Sequence, residues 1–139
     1  MDTDLGRIVI SGDREVCSVQ FSDEQIPICT DPLFLKCKEQ IEQYLTGERK
    51  SFDLPLYLEG TEFQKLIWKE LMDIPYGETR SYGELNTGAR AVGSACRRNP
   101  LLILVPCHRV IRADGTLSGY AGGSEIKRRL LQLEKDFCL

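Results

Sequence analysis

The chain opens with two stretches in which β-forming residues dominate, residues 5–10 and 15–21. Between them, residues 11–14 have the sequence Ser-Gly-Asp-Arg, which is typical of a hairpin connection. The pattern therefore predicts a β-hairpin at the start of the chain.

A helical pattern follows the predicted hairpin. Asp31 and Pro32 are suited to a helix cap and to the first helical position. Apolar residues then recur at helical spacing until Gly47, which is expected to end the helix.

Residues 52–58 alternate apolar and polar positions around Pro55, which favours an edge strand or an extended linker. We expect a boundary in this region. It divides the chain into a small N-terminal α/β domain, residues 1–58, and a second, mainly helical domain, residues 59–139. The predicted fold class is α+β.

The second domain begins with Thr61 and Gln64 at the spacing of a capping box. The helix predicted behind this cap ends at Pro75. Four apolar residues mark the face that we expect to be buried: Phe63, Ile67, Leu71 and Ile74.

Two short helical segments, residues 81–85 and 89–97, are separated by Asn86-Thr87-Gly88 and suggest a helix-turn-helix. The unbroken apolar run over residues 101–105 is expected to be buried. Ser124 is the expected cap of a last helix that continues to about Lys135.

Composition fits an ordinary globular protein, with 139 residues, 42% hydrophobic and 28% charged. We see no secretory signal and no apolar run near the ~18 residues of a membrane span. The expected location is the cytoplasm, or the nucleus if the source has one. The six cysteines form no Cys-x-x-Cys pair and there is one histidine, so we expect reduced thiols and no bound metal.

Charge is distributed unevenly along the chain. Residues 1–60 hold 6 Lys and Arg against 12 Asp and Glu, whereas residues 61–139 hold 12 against 9. Between Arg80 and Arg112 there are six arginines and one acid, Glu84. This basic stretch fits a phosphate-binding face and fits a solvated surface equally well.

The only histidine, His108, directly follows Cys107. A thiol attacks carbon as its thiolate, and a neighbouring imidazole can take up the proton. Adjacent side chains in an extended chain point to opposite faces, so contact between these two needs a bend or a bridging water. A buried cysteine is more often an inert core residue, and the pair alone does not establish a nucleophile.

Three motifs in fixed order make the nucleophile the favoured hypothesis: Arg98-Asn99-Pro100, Pro106-Cys107-His108-Arg109-Val110, and Ser118-Gly119-Tyr120-Ala121-Gly122-Gly123. Together they resemble the O6-alkylguanine-DNA alkyltransferase family, also called methylated-DNA–protein-cysteine S-methyltransferases. The resemblance runs from about Gly60 to Glu134. It implies DNA repair by direct transfer of a methyl or other alkyl group from O6 of guanine to a cysteine of the protein, once per chain and without a cofactor.

The resemblance also assigns catalytic roles. Cys107 corresponds to the nucleophile, His108 to the base that deprotonates it through a water, and Glu134 to the carboxylate that orients the imidazole. Tyr82 and Lys127 correspond to donors that meet the charge developing on O6. Lys127 and Glu134 are seven residues apart on the last predicted helix, so both can face one site.

Further residues correspond to the family's binding positions. Asn99 matches the residue that bridges the recognition helix to the active-site loop. The expected contacts to the guanine come from Val110, Tyr120, Ala121 and Gly122. Arg90 matches the arginine that fills the space of a flipped nucleotide, and it lies among small residues that would let the helix approach the minor groove: Ala89, Gly93 and Ser94. Without the resemblance, the small residues would indicate tight helix packing.

One feature departs from the family. Relatives usually have more residues between the positions of Tyr82 and Arg90, so the helix-turn-helix here is expected to be shortened by about one to two helical turns.

Three functions remain to be distinguished. The first is the single-turnover repair enzyme, acting as a monomer on double-stranded DNA that contains O6-alkylguanine, with O4-alkylthymine as an open alternative. The second is a non-catalytic relative that only binds damaged DNA, which the presence of Cys107 disfavours. The third is a regulator that senses alkylation, which would carry a sensing domain for which 139 residues leave no room.

Overall fold

The computed structural model describes residues 1–26, 29–85, 88–117 and 120–138. Within these ranges a three-stranded sheet and one helix precede three further helices and a two-stranded sheet. The expected α+β class, with a small N-terminal sheet and a mainly helical C-terminal part, is confirmed. None of the described helices has both the length and the apolar character needed to cross a membrane.

The N-terminal sheet is antiparallel, with strand order β1 (Asp2–Thr3), β2 (Gly6–Gly12) and β3 (Val16–Phe21). The predicted hairpin is therefore present, with a register shift between Ser11 and Gly12. The two-residue β1 lacks a pattern long enough to predict.

Helix α1 (Pro32–Leu45) is capped as expected, since the Asp31 side chain accepts a hydrogen bond from the Leu33 amide. Gly47 follows the helix with a φ of 82°, a left-handed conformation that favours glycine. The buried face of α1 consists of Cys37, Gln40, Ile41 and Tyr44.

The segment that links the two halves lies beside β3. The Val16 amide donates to Pro55 O at 2.8 Å, and the Tyr57 amide donates to Val16 O at 2.9 Å. Residues 52–58 form an extended linker, one of the two structures expected, with a single bridge from Leu56 to Val16.

Helix α2 (Glu62–Met72) begins with the predicted capping box of Thr61 and Gln64. Its predicted buried face needs one correction. Phe63 is 54% exposed, and Trp68 lies in the core together with Ile67 and Leu71. The Trp68 indole Nε1 donates to Ala95 O at 3.0 Å, so the ring has a polar partner that makes its burial favourable.

The first segment of the expected helix-turn-helix is one turn of 3-10 helix, Tyr82–Glu84, and the second is α3 (Ala89–Arg97). The predicted turn residues Asn86 and Thr87 lie outside the described residues. Strand β4 (Arg80–Ser81) pairs in parallel with β5 (Val110–Ile111), which joins the start of this unit to the active-site region.

The last helix, α4 (Ser124–Phe137), is capped differently from the prediction. Its N-cap is Gly123, with a φ of 96°, and Ser124 is the first helical residue. The φ of Gly123 is one that a serine would reach only with strain, so glycine suits this cap position.

The N-terminal sheet contacts the C-terminal half at the segment that leads into the active site. The Val19 amide donates to Pro100 O at 2.8 Å, and the Leu102 amide donates to Val19 O at 3.1 Å. The Gln20 side chain adds a bond to the same Pro100 carbonyl at 3.0 Å. The position of the active-site loop therefore depends on both halves of the chain.

Candidate active site

The predicted apolar run over residues 101–105 is buried throughout, as expected. It forms a tight turn in which the Val105 amide donates to Leu101 O at 2.9 Å. Ile103 adopts a φ of 72°, which is costly for a β-branched side chain. The turn leads into a 3-10 helix, Cys107–Arg109. The side chains of Cys107 and His108 therefore lie on a bend and not on extended chain.

Asn99 connects the end of α3 to the thiol. Its Nδ2 donates to Val105 O and to Cys107 Sγ, both at 3.0 Å, and its Oδ1 accepts from the Leu101 amide at 2.9 Å. One buried amide thus fixes both the backbone of the loop and the sulfur that the loop presents.

The surroundings of Cys107 favour its thiolate. Burial alone would raise the pKa of this thiol. Hydrogen bonds from Cys96 and Asn99, with the nearby charge of Lys127, outweigh burial, and the pKa lies below its ordinary value. Cys96 keeps its proton, because its bond to Cys107 and its own burial raise its pKa.

His108 is fully buried, and its Nε2 lies 2.6 Å from Glu134 Oε2. Burial lowers the pKa of His108 below its ordinary value, although Glu134 acts in the opposite direction. The ring is therefore neutral near pH 7. With Glu134 ionised, the ring proton lies on Nε2, and Nδ1 carries a lone pair. Nδ1 is buried and has no hydrogen-bond partner among the described residues.

The Glu134 carboxylate accepts from five donors. Oε1 accepts from Arg109 Nε at 2.8 Å and from the Gly77 amide at 3.1 Å. Oε2 accepts from His108 Nε2, from Arg109 Nη2 at 3.1 Å and from Tyr44 Oη at 2.5 Å. Burial would raise the pKa of this carboxyl, but His108 and Arg109 lower it to about 2, so Glu134 is an anion.

Tyr82 and Lys127 lie next to each other and close to the thiol. Lys127 Nζ lies 5.6 Å from the centre of the Tyr82 ring, and the Lys127 side chain is buried. Burial raises the pKa of Tyr82 to about 12, with a further contribution from Cys96 and Cys107, and the phenol remains protonated. Burial lowers the pKa of Lys127, and the two thiols oppose that shift.

The predicted guanine-contacting residues border the same region. The Tyr120 ring packs edge-on against His108, with centroids 6.4 Å apart, and Val110 is buried in β5. Ala121 and Gly122 form the turn before α4. A Cβ at Gly122 would lie 2.7 Å from the Tyr120 ring, so only glycine fits there without a shift. The motif residues Ser118 and Gly119 lie outside the described residues.

The predicted DNA-contacting residues all belong to α3. Arg90 and Ser94 are exposed, Gly93 is partly buried, and Ala89 is the first helical residue. The opposite face buries Val92, Ala95 and Cys96. Of the six arginines in the basic stretch, Arg109 does not contribute to a surface, because it is buried against Glu134.

Three residues of this site are not predicted from the sequence: Tyr44, Cys96 and Arg109. Arg109 lies inside the Pro106–Val110 motif. A charged residue this close to a buried apolar run was the signal that could have revealed it. Tyr44 and Cys96 occur at ordinary core positions of helices, where nothing in the pattern distinguishes them.

Across the described residues, no group of three or more His, Cys, Asp or Glu side chains is arranged to hold a metal ion. All six cysteines are free thiols.

The fold and the site together place a buried thiol with a lowered pKa next to a helix, α3, that has one exposed face. Two family models cover nearly the whole chain. They are described as the 6-O-methylguanine DNA methyltransferase ribonuclease-like domain, matched by residues 1–58, and the DNA-binding domain, matched by residues 62–136. The chain therefore belongs to the 6-O-methylguanine DNA methyltransferase family, and the resemblance seen in the sequence is confirmed.

Individual relatives agree with this membership. The chain is 47% identical to the methylated-DNA–protein-cysteine methyltransferase of Methanosarcina acetivorans over 147 aligned positions, which cover 96% of this chain and 94% of the relative. It is 42% identical to the O6-methylguanine methyltransferase of Mycobacterium tuberculosis, with a TM-score of 0.87 and coverage of 98% and 90%. A structure of the Mycobacterium tuberculosis protein in complex with DNA matches with a TM-score of 0.87, 43% identity and coverage of 99% and 91%. The class of activity is direct DNA repair by alkyl transfer to a cysteine, and the chain is a DNA-binding protein.

The Glu134 cluster generates a stability prediction. Replacing Arg109 with Met removes the one formal cation that pairs with this buried carboxylate among the described residues, and we expect a loss of about 3–5 kcal/mol in the free energy of unfolding. Urea unfolding at pH 7 measures it. Adding Glu134→Gln should recover part of the loss, because the uncompensated charge is gone. A loss under about 1 kcal/mol, or losses that simply add in the double variant, would show that the pair is not coupled.

Proposed function

We propose that Cys107 accepts the alkyl group, that His108 is its base, and that the substrate is an O6-alkylguanine in double-stranded DNA. The observation that carries this proposal is the hydrogen bond of 3.0 Å from the Asn99 amide to Cys107 Sγ, on a thiol whose pKa lies below its ordinary value. A structural core cysteine has no need of such a donor.

The reaction begins with removal of the thiol proton. Neutral His108 takes the proton at Nδ1, directly or through one water, and Glu134 stabilises the imidazolium that results. Cys107 Sγ then attacks the alkyl carbon. The S–C bond forms while the C–O6 bond breaks, and its electron pair passes to the guanine O6.

Tyr82 and Lys127 assist the departure of guanine. A hydrogen bond or proton delivered to the guanine lowers the cost of the charge that develops as the C–O6 bond breaks. Tyr82 remains a protonated donor, since its pKa is about 12. The ammonium of Lys127 adds positive charge near the sulfur.

The guanine itself is held by residues around Tyr120. In the proposal, backbone groups at Cys107, Val110, Ala121 and Gly122 bind its edge, and the Tyr120 ring, which packs on His108, forms a wall of the pocket. Asn99 keeps the loop in the position that this pocket needs.

Helix α3 brings the DNA to the thiol. Ala89, Gly93 and Ser94 let the helix approach the minor groove, and exposed Arg90 occupies the gap left by the flipped nucleotide. The short 3-10 segment Tyr82–Glu84 stands where relatives are expected to have a longer helix, which reduces the surface available for phosphate contacts.

The single use of each chain follows from this chemistry. A thioether has no easy route back to a thiol, so each chain reacts once and needs no cofactor. We propose a monomer of two units, residues 1–58 and 59–139, that works where the DNA is, in the cytoplasm or in a nucleus. O4-alkylthymine is the alternative substrate, and parallel assays on the two bases distinguish them.

Replacing Cys107 with Ser should abolish alkyl uptake and leave DNA affinity near normal, because a hydroxyl is a far poorer nucleophile near neutral pH. Intact mass and peptide mapping after incubation with a methylated-guanine duplex measure uptake. Cys29→Ser, which changes an exposed thiol, is the matched control and should gain one methylene per chain. Uptake by the Cys107→Ser variant, or a methyl group on another cysteine of the unaltered protein, would remove Cys107 from the role. No mass gain in the unaltered protein would favour DNA binding alone.

Replacing Arg90 with Ala should slow repair of methylguanine in duplex DNA by about tenfold or more, since unstacking a base costs a few kcal/mol. Reaction with free O6-benzylguanine needs no flipping and should be nearly unchanged. The ratio of the two rates is the measurement, and Arg14→Ala, which removes an equally exposed charge from the β2–β3 turn, is the control. An equal fall in both rates would mean that Arg90 supports the active-site geometry. No fall in either rate would place Arg90 away from the DNA.

A further inference from the structure

Tyr44 brings the N-terminal half of the chain into the buried network around Glu134. Its side chain is completely buried on α1. The hydroxyl donates to Glu134 Oε2 at 2.5 Å, 90 positions away in the chain, and lies 3.4 Å from His108 Nε2. It is the only one of the five described donors to Glu134 that comes from residues 1–58.

Packing fixes the direction of this hydroxyl. The Tyr44 ring lies 5.6 Å from the Phe52 ring and meets the Tyr76 ring edge-on at 6.0 Å. Helix α1 is in turn tied to the linker, because the Gln40 side chain exchanges two hydrogen bonds with the Asp53 backbone, at 3.1 and 2.9 Å. The phenol is therefore held in place before any substrate binds.

The same oxygen serves both Tyr44 and His108. Oε2 accepts from the phenol and from the imidazole. The hydrogen bond from the phenol therefore makes Oε2 a weaker acceptor for His108. It also fixes the plane of the carboxylate and so the direction of the His108 ring. The neighbouring Tyr76 hydroxyl, also buried, has no hydrogen-bond partner within the described ranges, so proximity alone does not produce this contact.

We propose that Tyr44 is a positioning residue for alkyl transfer: it orients the Glu134 carboxylate, and thereby the base His108, from the N-terminal half of the chain. The inference rests on the proposed roles of Cys107 and His108. It gives residues 1–58 a direct part in the rate of the chemical step, beyond supporting the fold.

The phenol remains a donor over the whole working range of pH. Burial, and then the charge of Glu134, raise the pKa of Tyr44 well above its ordinary value. Other titratable or charged groups also face the His108–Glu134 pair from the elements packed around it, and they are unchanged when Tyr44 is replaced: Tyr76, Cys107, Arg109, Tyr120 and Lys127.

The test is Tyr44→Phe, which removes one hydroxyl and keeps the packed ring. We expect alkyl transfer to slow on the order of 10-fold, as for other residues that orient a reacting group through a second one. Without the phenol, Glu134 becomes a stronger acceptor and raises the pKa of His108. The base must be neutral to act, so activity should be lost at a higher pH than in the unaltered protein as the solution is made more acidic.

The matched control is Tyr57→Phe, which makes the same chemical change at a half-exposed ring and should alter neither the rate nor the pH profile. A merely structural role for Tyr44 would lower stability and leave the pH profile in place. An unchanged rate and an unchanged profile in Tyr44→Phe would overturn the proposal.

A double-mutant cycle provides the second readout. Since Tyr44 acts through Glu134, adding Tyr44→Phe to Glu134→Gln should cause no further loss of rate. This comparison is made between Glu134→Gln and the double variant, so it does not require Tyr44→Phe alone to fold. A further loss of rate in the double variant would contradict the proposal. Peptide mapping of the unaltered protein distinguishes failure of the Tyr44 proposal from failure of the proposed function. A methyl group on a cysteine other than Cys107 would refute the proposed function itself.

Discussion

The structure depends on one buried carboxylate. Glu134 is 1% exposed and ionised, and an isolated anion in that position would cost several kcal/mol. The cost is offset because donors from α1, from the turn after α2 and from the 3-10 helix Cys107–Arg109 converge on its two oxygens. Folding the chain around this anion therefore assembles the active site, and the proton position on His108 follows from the same contacts.

A second set of contacts, from α3 and the residues after it, holds the thiol of Cys107. Asn99 follows α3 directly and holds both the loop backbone and the Cys107 sulfur. Helix α3 exposes Arg90 on one face and buries Cys96, a further donor to the sulfur, on the other. The element that we propose to contact DNA is thus joined to Cys107, the proposed nucleophile, through a few hydrogen bonds, and a displacement of α3 would change the contacts of the sulfur.

Local patterns were enough to predict most of the fold, whereas the proposed catalytic residues came from the resemblance to the alkyltransferase family. The caps at Asp31 and Thr61 and the buried run over residues 101–105 were predicted because their causes lie within a few residues of sequence. Phe63 lies on the predicted face with Ile67 and Leu71 but is exposed, because periodicity gives the direction of a side chain and not how far the core extends along the helix. Tyr44 and Arg109 were missed because their importance comes from a partner, Glu134, that is distant in sequence and becomes a neighbour only after folding.

We infer that burial keeps His108 neutral, and that Glu134 holds the ring proton on Nε2 and leaves the lone pair on Nδ1. His108 is the only histidine in the chain, so nitrogen-15 NMR of histidine-labelled protein reports on it without ambiguity. At pH 7 and above we expect a protonated Nε2 and an unprotonated Nδ1, with no change in tautomer. A proton on Nδ1, or a doubly protonated ring at neutral pH, would contradict the account, because His108 would then have no free nitrogen with which to accept the proton of Cys107.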